Sequence, residues 1–105
     1  MAAIARGNGA DTVFSFTGTG VDCLSPITTA TDVCSGDVFI NGEGAVREGD
    51  QVAPHPAAGC GNDSSVVTSF SSTVKVNGRG VARIGDEYTS DNIITSGSGT
   101  VSAGG

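Results

Sequence analysis

Apolar residues in this chain seldom run together; they alternate with polar ones in short stretches broken by glycine. Val38 and Ile40 flank Phe39, and Val74 and Val76 flank Lys75. Each stretch therefore presents two aliphatic side chains on one face of a strand, with a period of two. Asn41-Gly42 and Asn77-Gly78 follow directly. An Asn-Gly pair accepts the two positive φ angles of a type I′ turn, so each site predicts a tight β-hairpin. The return strands carry Ala45-Val46-Arg47 and Val81-Ala82-Arg83, and Gly49-Asp50 and Gly85-Asp86 end them in a further turn. Leu occurs once, at Leu24, and Ala-rich or Lys/Glu-rich helical stretches are absent. Val and Ile, stiff at χ1, suit a pleated strand. The pattern predicts an all-β chain.

The two hairpins are copies. Residues 38–50 return 36 positions later as residues 74–86, with seven of thirteen positions identical, including Asn-Gly, the next Gly, Arg and the closing Gly-Asp. A third copy is divided between the chain ends. Residues 97–105 resemble an outgoing strand, with Thr100-Val101 aligned to Thr73-Val74, and Ile4-Ala5-Arg6 resembles the return strand Val81-Ala82-Arg83. Two ends that complete one repeat must lie side by side, closing the chain as three similar units around an axis. The repeats then run around 34–50, 70–86 and 97–105 completed by 1–8, in a single domain spanning 1–105. The intervening segments 18–31, 51–65 and 87–92 are polar and turn-rich, and read as three loops gathering at one end. Residues 11–21 follow the pattern less clearly.

Composition sharpens this picture. Leu, Ile, Val and Phe make up 23 of the 105 residues, little above the level at which a charged chain stays unfolded, so a cross-link or partner should help hold the body. The net charge of −6, without clustered Lys or Arg, argues against nucleic-acid binding. No apolar run reaches the length of a signal peptide or a membrane span, so synthesis in the cytosol and no integral membrane segment are expected. Three cysteines in such a compartment point away from disulfides.

At this point the chain resembles the PAAR-repeat family, the spike-tip proteins of contractile phage tails and type VI secretion systems. The resemblance rests on Val-x-Val/Ile-Asn-Gly-x-Gly-x-x-Arg-x-Gly-Asp, present twice, and on the half-repeats at the termini. The Pro of the naming motif Pro-Ala-Ala-Arg is replaced by Gly44 and Gly80, which is expected to loosen φ while leaving the turn feasible. The resemblance implies a short conical body of three β-hairpin repeats with pseudo-three-fold symmetry and a zinc ion near the apex. It also implies that one copy caps each trimeric β-helical spike.

By the same resemblance, His55, five residues after Asp50, takes a ligand position; Cys60 and Cys23 fall where the family carries further ligands, usually His. Thiolate and imidazole are both good tetrahedral donors for zinc. The family's last ligand position holds Ser90, a poor donor. Cys34 is the favoured replacement, giving a Cys3His set, with Asp91 as the other candidate. Iron in place of zinc stays open. Cys34, beside Val33 and a strand, also reads as a small buried apolar residue. A catalytic Cys–His pair needs a substrate cleft for which turn-rich hairpins leave scant room, so no enzyme is expected. Gly7-x-Gly9 and Gly97-x-Gly99 read as turns. Arg47 and Arg83, next to Gly-Asp, read as ion pairs to a turn carboxylate, with contact to a partner as the alternative.

The functional expectation is a structural piercing tip that contacts the target cell envelope mechanically. Its place would be the baseplate spike of a virion, or else the tip of a secretion or extracellular injection device. A small cytosolic zinc-binding module and a receptor-binding β-domain are the rival readings.

Overall fold

The computed structural model describes residues 2–19, 25–53, 55–57, 61–63, 65–89 and 92–104, and among these every regular element is a strand. In chain order the strands are β1 (Ala2–Ala3), β2 (Thr12–Thr19), β3 (Ser25–Ala30), β4 (Phe39–Ile40), β5 (Glu43–Gly44), β6 (His55–Ala57), β7 (Gly61–Asp63), β8 (Lys75–Val76), β9 (Arg79–Gly80), β10 (Glu87–Tyr88), β11 (Asn92–Ile94) and β12 (Ser102–Ala103). The body measures 39 × 23 × 23 Å, one long axis with two equal short ones.

The Asn-Gly pairs set the shortest hairpins. β4 pairs with β5 around Asn41 and Gly42, whose φ angles are 52° and 89°. β8 pairs with β9 in the same register around Asn77 and Gly78, at 55° and 77°. Asn tolerates this left-handed region better than other residues with a Cβ, and Gly enters it freely. The chain ends pair likewise: Ala2 lies opposite Ala103 in β1–β12, and the Ile4 N–H donates to the Val101 carbonyl at 3.0 Å.

The segments expected to be loops instead carry strands. β2 pairs with β3 on one side and β11 on the other, giving a four-stranded sheet in the order β10-β11-β2-β3, and β6 pairs with β7. The physical reason lies in residues 12–16, Thr-Val-Phe-Ser-Phe, which suit a pleated surface. Within them Val13 is fully buried beside an exposed Thr12. Pro26 is tolerated because β3 lies at the sheet edge, where a missing N–H costs little.

Three return segments far apart in sequence meet at the centre. The Ala5 N–H donates to Ala82 O (2.9 Å), Ala82 N–H to Val46 O (2.9 Å), and Val46 N–H to Ala5 O (3.1 Å). The cycle closes, so three fully buried residues satisfy one another's amides without help from water. Around it, Gly7 N–H donates to Gly44 O, Glu48 N–H to Gly80 O and Ile84 N–H to Ala3 O, at 2.8, 2.8 and 2.9 Å. Thr31 lies opposite Val52, Val67 opposite Tyr88, and Ile94 opposite Val13; all six are buried, and all but Thr31 build the main core with Ala5, Val46 and Ala82. A second core of Ile4, Ala45, Val76, Val81 and Ala103 lies among the short hairpins.

One ion-pair geometry recurs three times. Arg47 donates its backbone N–H and Nε to one oxygen of Asp50 and its Nη2 to the other; Arg83 does the same to Asp86, and Arg6 to Asp11. The expected turn-carboxylate pairing of Arg47 and Arg83 is thus observed, and Arg6 adds a third instance across a longer turn. Asp11 and Asp50 are almost completely buried, so each carboxylate depends on its arginine.

Acid should therefore unfold the protein. Burial alone would raise the Asp11 pKa, but hydrogen bonds from Arg6 and Ser96, with the Arg6 charge, outweigh it and leave the group below its ordinary value. A hydrogen bond from Asn77 Nδ2 lowers Asp37 likewise. A folded-state pKa below the unfolded one gives stability that is present above the ordinary carboxylate value of about 4 and lost as pH falls through the lower folded value. Urea midpoints are expected to be level above about pH 5 and to fall steadily below about pH 4. A midpoint that held constant down to about pH 2 would count against these pairs.

Candidate metal centre and the hairpin seams

The donors expected to bind metal fall in or next to the strand pairs β2–β3, β6–β7 and β10–β11 in the sequence. Cys23 falls between β2 and β3, Cys60 directly precedes β7, and Ser90 and Asp91 fall between β10 and β11. These four residues lie outside the described residues. His55 opens β6, with its backbone opposite Asp63, and β6 runs beside β2. Among the described residues no three His, Cys, Asp or Glu side chains stand together in an arrangement suited to a metal ion.

Cys34 lies among the described residues. Its thiol packs against Gly7 and Gly44: a Cβ added to Gly7 would lie 2.5 Å from Sγ, and one added to Gly44 would lie 2.7 Å from it. Burial, with Asp50 nearby, pushes the thiol above its ordinary pKa. The same position in the second copy is Phe70, which fills the space over Gly80, where an added Cβ would come within 2.1 Å of the ring. In the divided copy the sizes are exchanged. Gly97 stands where Cys34 and Phe70 do, and Ala3 takes the place of Gly44 and Gly80; a Cβ on Gly97 would meet the Ala3 Cβ at 3.1 Å. Gly44 and Gly80 are therefore required by close approach, and neither has a positive φ.

The repeats are joined by a serine that sequence reading passed over. Ser35 Oγ accepts from the backbone N–H groups of Asp37 and Val38, Ser71 Oγ from Thr73 and Val74, and Ser98 Oγ from Thr100 and Val101. Each hydroxyl then donates across to another hairpin. Ser35 reaches Asn77 Oδ1 at 2.7 Å, Ser98 reaches Asn41 Oδ1, and Ser71 reaches the Gly104 carbonyl. Arg47 Nη1 also donates to Asn77 Oδ1 (3.0 Å), and Arg83 Nη1 to Gly104 O (3.2 Å). A backbone carbonyl near the chain end thus takes the part that a turn Asn side chain plays at the other seams. The spacing Ser35-x-x-Val38, Ser71-x-x-Val74 and Ser98-x-x-Val101 was the available signal.

Neither protein-family models nor curated proteins match this chain.

Proposed function

We propose that the chain is the metal-locked cap on the point of a trimeric β-helical spike in a contractile injection device. The observation that carries this reading is the closed cycle of backbone hydrogen bonds through Ala5, Val46 and Ala82. The bonds around the cycle recur in triplicate: the Arg–Asp pairs, the serine seams, and the pairings of Thr31, Val67 and Ile94. They support a pseudo-three-fold body of three hairpin repeats, the third assembled from residues 97–104 and 2–6. Such a body offers three like faces from one chain. A trimeric partner can then be capped by one copy with no mismatch of symmetry.

The short hairpins form the base in this reading. Phe39 is 58% exposed on β4, and Val74 beside β8 is also exposed, so apolar surface is left at that end for a partner to cover. Strand ends of the spike would add to the hairpin edges, as in strand addition generally. The long hairpins form the opposite, narrow end, where contraction force is concentrated on a small area of envelope. No chemical step is required of the tip.

The donor set there fits zinc in kind: Cys23 and Cys60 offer thiolates and His55 an imidazole, the usual partners of a closed structural site. Asp91 is the better fourth donor, because Cys34 is engaged in packing against Gly7 and Gly44. Bound zinc would tie the three hairpin ends together.

A pull-down with a trimeric β-helical spike, before and after chelation, tests the function. Capture that weakens when the metal is stripped is expected. A protein that exchanges zinc freely and never binds the spike would be a metal-handling module. One that ignores the spike and binds glycan regardless of chelator would be a receptor-binding domain. Either result overturns the proposal.

A further inference from the structure

Three Asn-Gly pairs occur in the chain, at 8–9, 41–42 and 77–78, and all three Asn residues are exposed with φ between 52° and 56°. We propose that Asn41 and Asn77 are latent deamidation sites, held unreactive by the seams they bridge, while Asn8 is protected by a different contact.

In this reaction the glycine backbone nitrogen, having lost its proton, attacks Cγ of the preceding Asn. The N–Cγ bond forms, the Cγ–Nδ2 bond breaks, and ammonia leaves with the proton. Water then adds to either carbonyl of the cyclic imide and opens it to aspartate or isoaspartate. No electrons change hands, and water is the only co-reactant. Glycine favours the attack because it has no side chain to obstruct ring closure. Gly42 and Gly78 suit that role: a Cβ on either would meet nothing within 4 Å, and their N–H groups donate to no carbonyl among the described residues.

What holds these two sites is the carboxamide. Asn77 Nδ2 donates to Asp37 Oδ1 at 2.9 Å while its Oδ1 accepts from Ser35 Oγ and Arg47 Nη1. Asn41 Nδ2 donates to Thr100 Oγ1 at 3.0 Å and its Oδ1 accepts from Ser98 Oγ. Turning either carboxamide towards the glycine nitrogen breaks those bonds. Asn8 has only a long side-chain contact to Glu43, at 3.4 Å. Its safeguard is the nucleophile: the Gly9 N–H is committed to Thr31 O at 2.8 Å, and the Asn8 N–H to Asp32 O at 2.9 Å. Identical dipeptides thus have unequal fates. Once reacted, residue 77 would carry a carboxylate beside Asp37 and, as isoaspartate, an extra backbone atom in a two-residue turn. The bond from Asn77 Nδ2 to Asp37 could not re-form, so the reaction would weaken this seam irreversibly.

The test is peptide mapping of the folded protein held at mildly alkaline pH, scored for deamidation at each Asn. In the unaltered chain Asn41 and Asn77 are expected to react slowly and Asn8 more slowly still. Ser35→Ala should speed Asn77 about tenfold, as loss of one hydrogen bond of roughly 1.4 kcal/mol implies, and leave Asn41 unchanged. Ser98→Ala should do the reverse. Asn8 reacting first in the folded chain, or Asn77 keeping its rate in the Ser35→Ala protein, would overturn the proposal. Acceleration at all three sites would mean the variant had unfolded, and Asp37→Ala then decides. Faster reaction at Asn77 with Asn8 unchanged supports the seam, and an unchanged Asn77 refutes it.

Discussion

Gly44→Ala is expected to cost about 4 kcal/mol or more, enough to threaten folding of a domain this small. The added methyl would stand 2.1 Å from the Ser35 carbonyl oxygen and 2.7 Å from Cys34 Sγ. One of these is backbone, so a rotamer change alone cannot relieve the clash. Gly80→Ala faces the same problem, 2.5 Å from the Ser71 carbonyl and 2.1 Å from the Phe70 ring. The divided copy supplies a remedy for the thiol contact, because there Ala3 is accommodated opposite Gly97. Cys34→Gly combined with Gly44→Ala should therefore recover about 1–3 kcal/mol relative to Gly44→Ala alone, as coupling between touching residues allows. Denaturant titration of the wild type, the two single variants and the double variant measures this. Additive losses would mean that the two positions do not share one space.

Chelation should have the larger effect still. Structural zinc contributes on the order of 10 kcal/mol to folding of small domains, and this chain has few large apolar residues with which to compensate. Stripping the ion is expected to lower the melting temperature by tens of degrees, following roughly 4–8 °C per kcal/mol for a domain of about this length. Cys23→Ala and Cys60→Ala should bind less than one equivalent of zinc and melt like the stripped protein. Cys34→Ala should keep its zinc, because its thiol is a packing group. Unchanged melting after exhaustive chelation would remove the metal from the account, and loss of zinc in Cys34→Ala would return that residue to the ligand set.

The short hairpins could be read directly from residues. Val38-x-Ile40-Asn-Gly and Val74-x-Val76-Asn-Gly dictate a strand and a tight turn through local chemistry alone, and the observed φ angles follow from it. The long hairpins were harder to read. Gly18, Gly20 and Pro26 signal turns, and only the sheet order, with β3 at the edge, makes the proline compatible with a strand. Cys34 shows what spacing does not convey. Its place in the chain fits a spare ligand, and its close packing against Gly7 and Gly44 is something only the folded backbone brings about. The aligned copies did hold the clue, since Cys34 with Gly44, Phe70 with Gly80 and Gly97 with Ala3 trade volume across one contact. The partnership of Asn77 with Ser35, 42 residues apart, has no local signature at all.

The central claim is that one chain presents three like faces to a three-fold partner. The mass of the intact complex with a trimeric β-helical spike, measured under native conditions, tests it most directly. One copy of this chain per spike trimer is the predicted result. Three copies per trimer, one on each subunit, would contradict it.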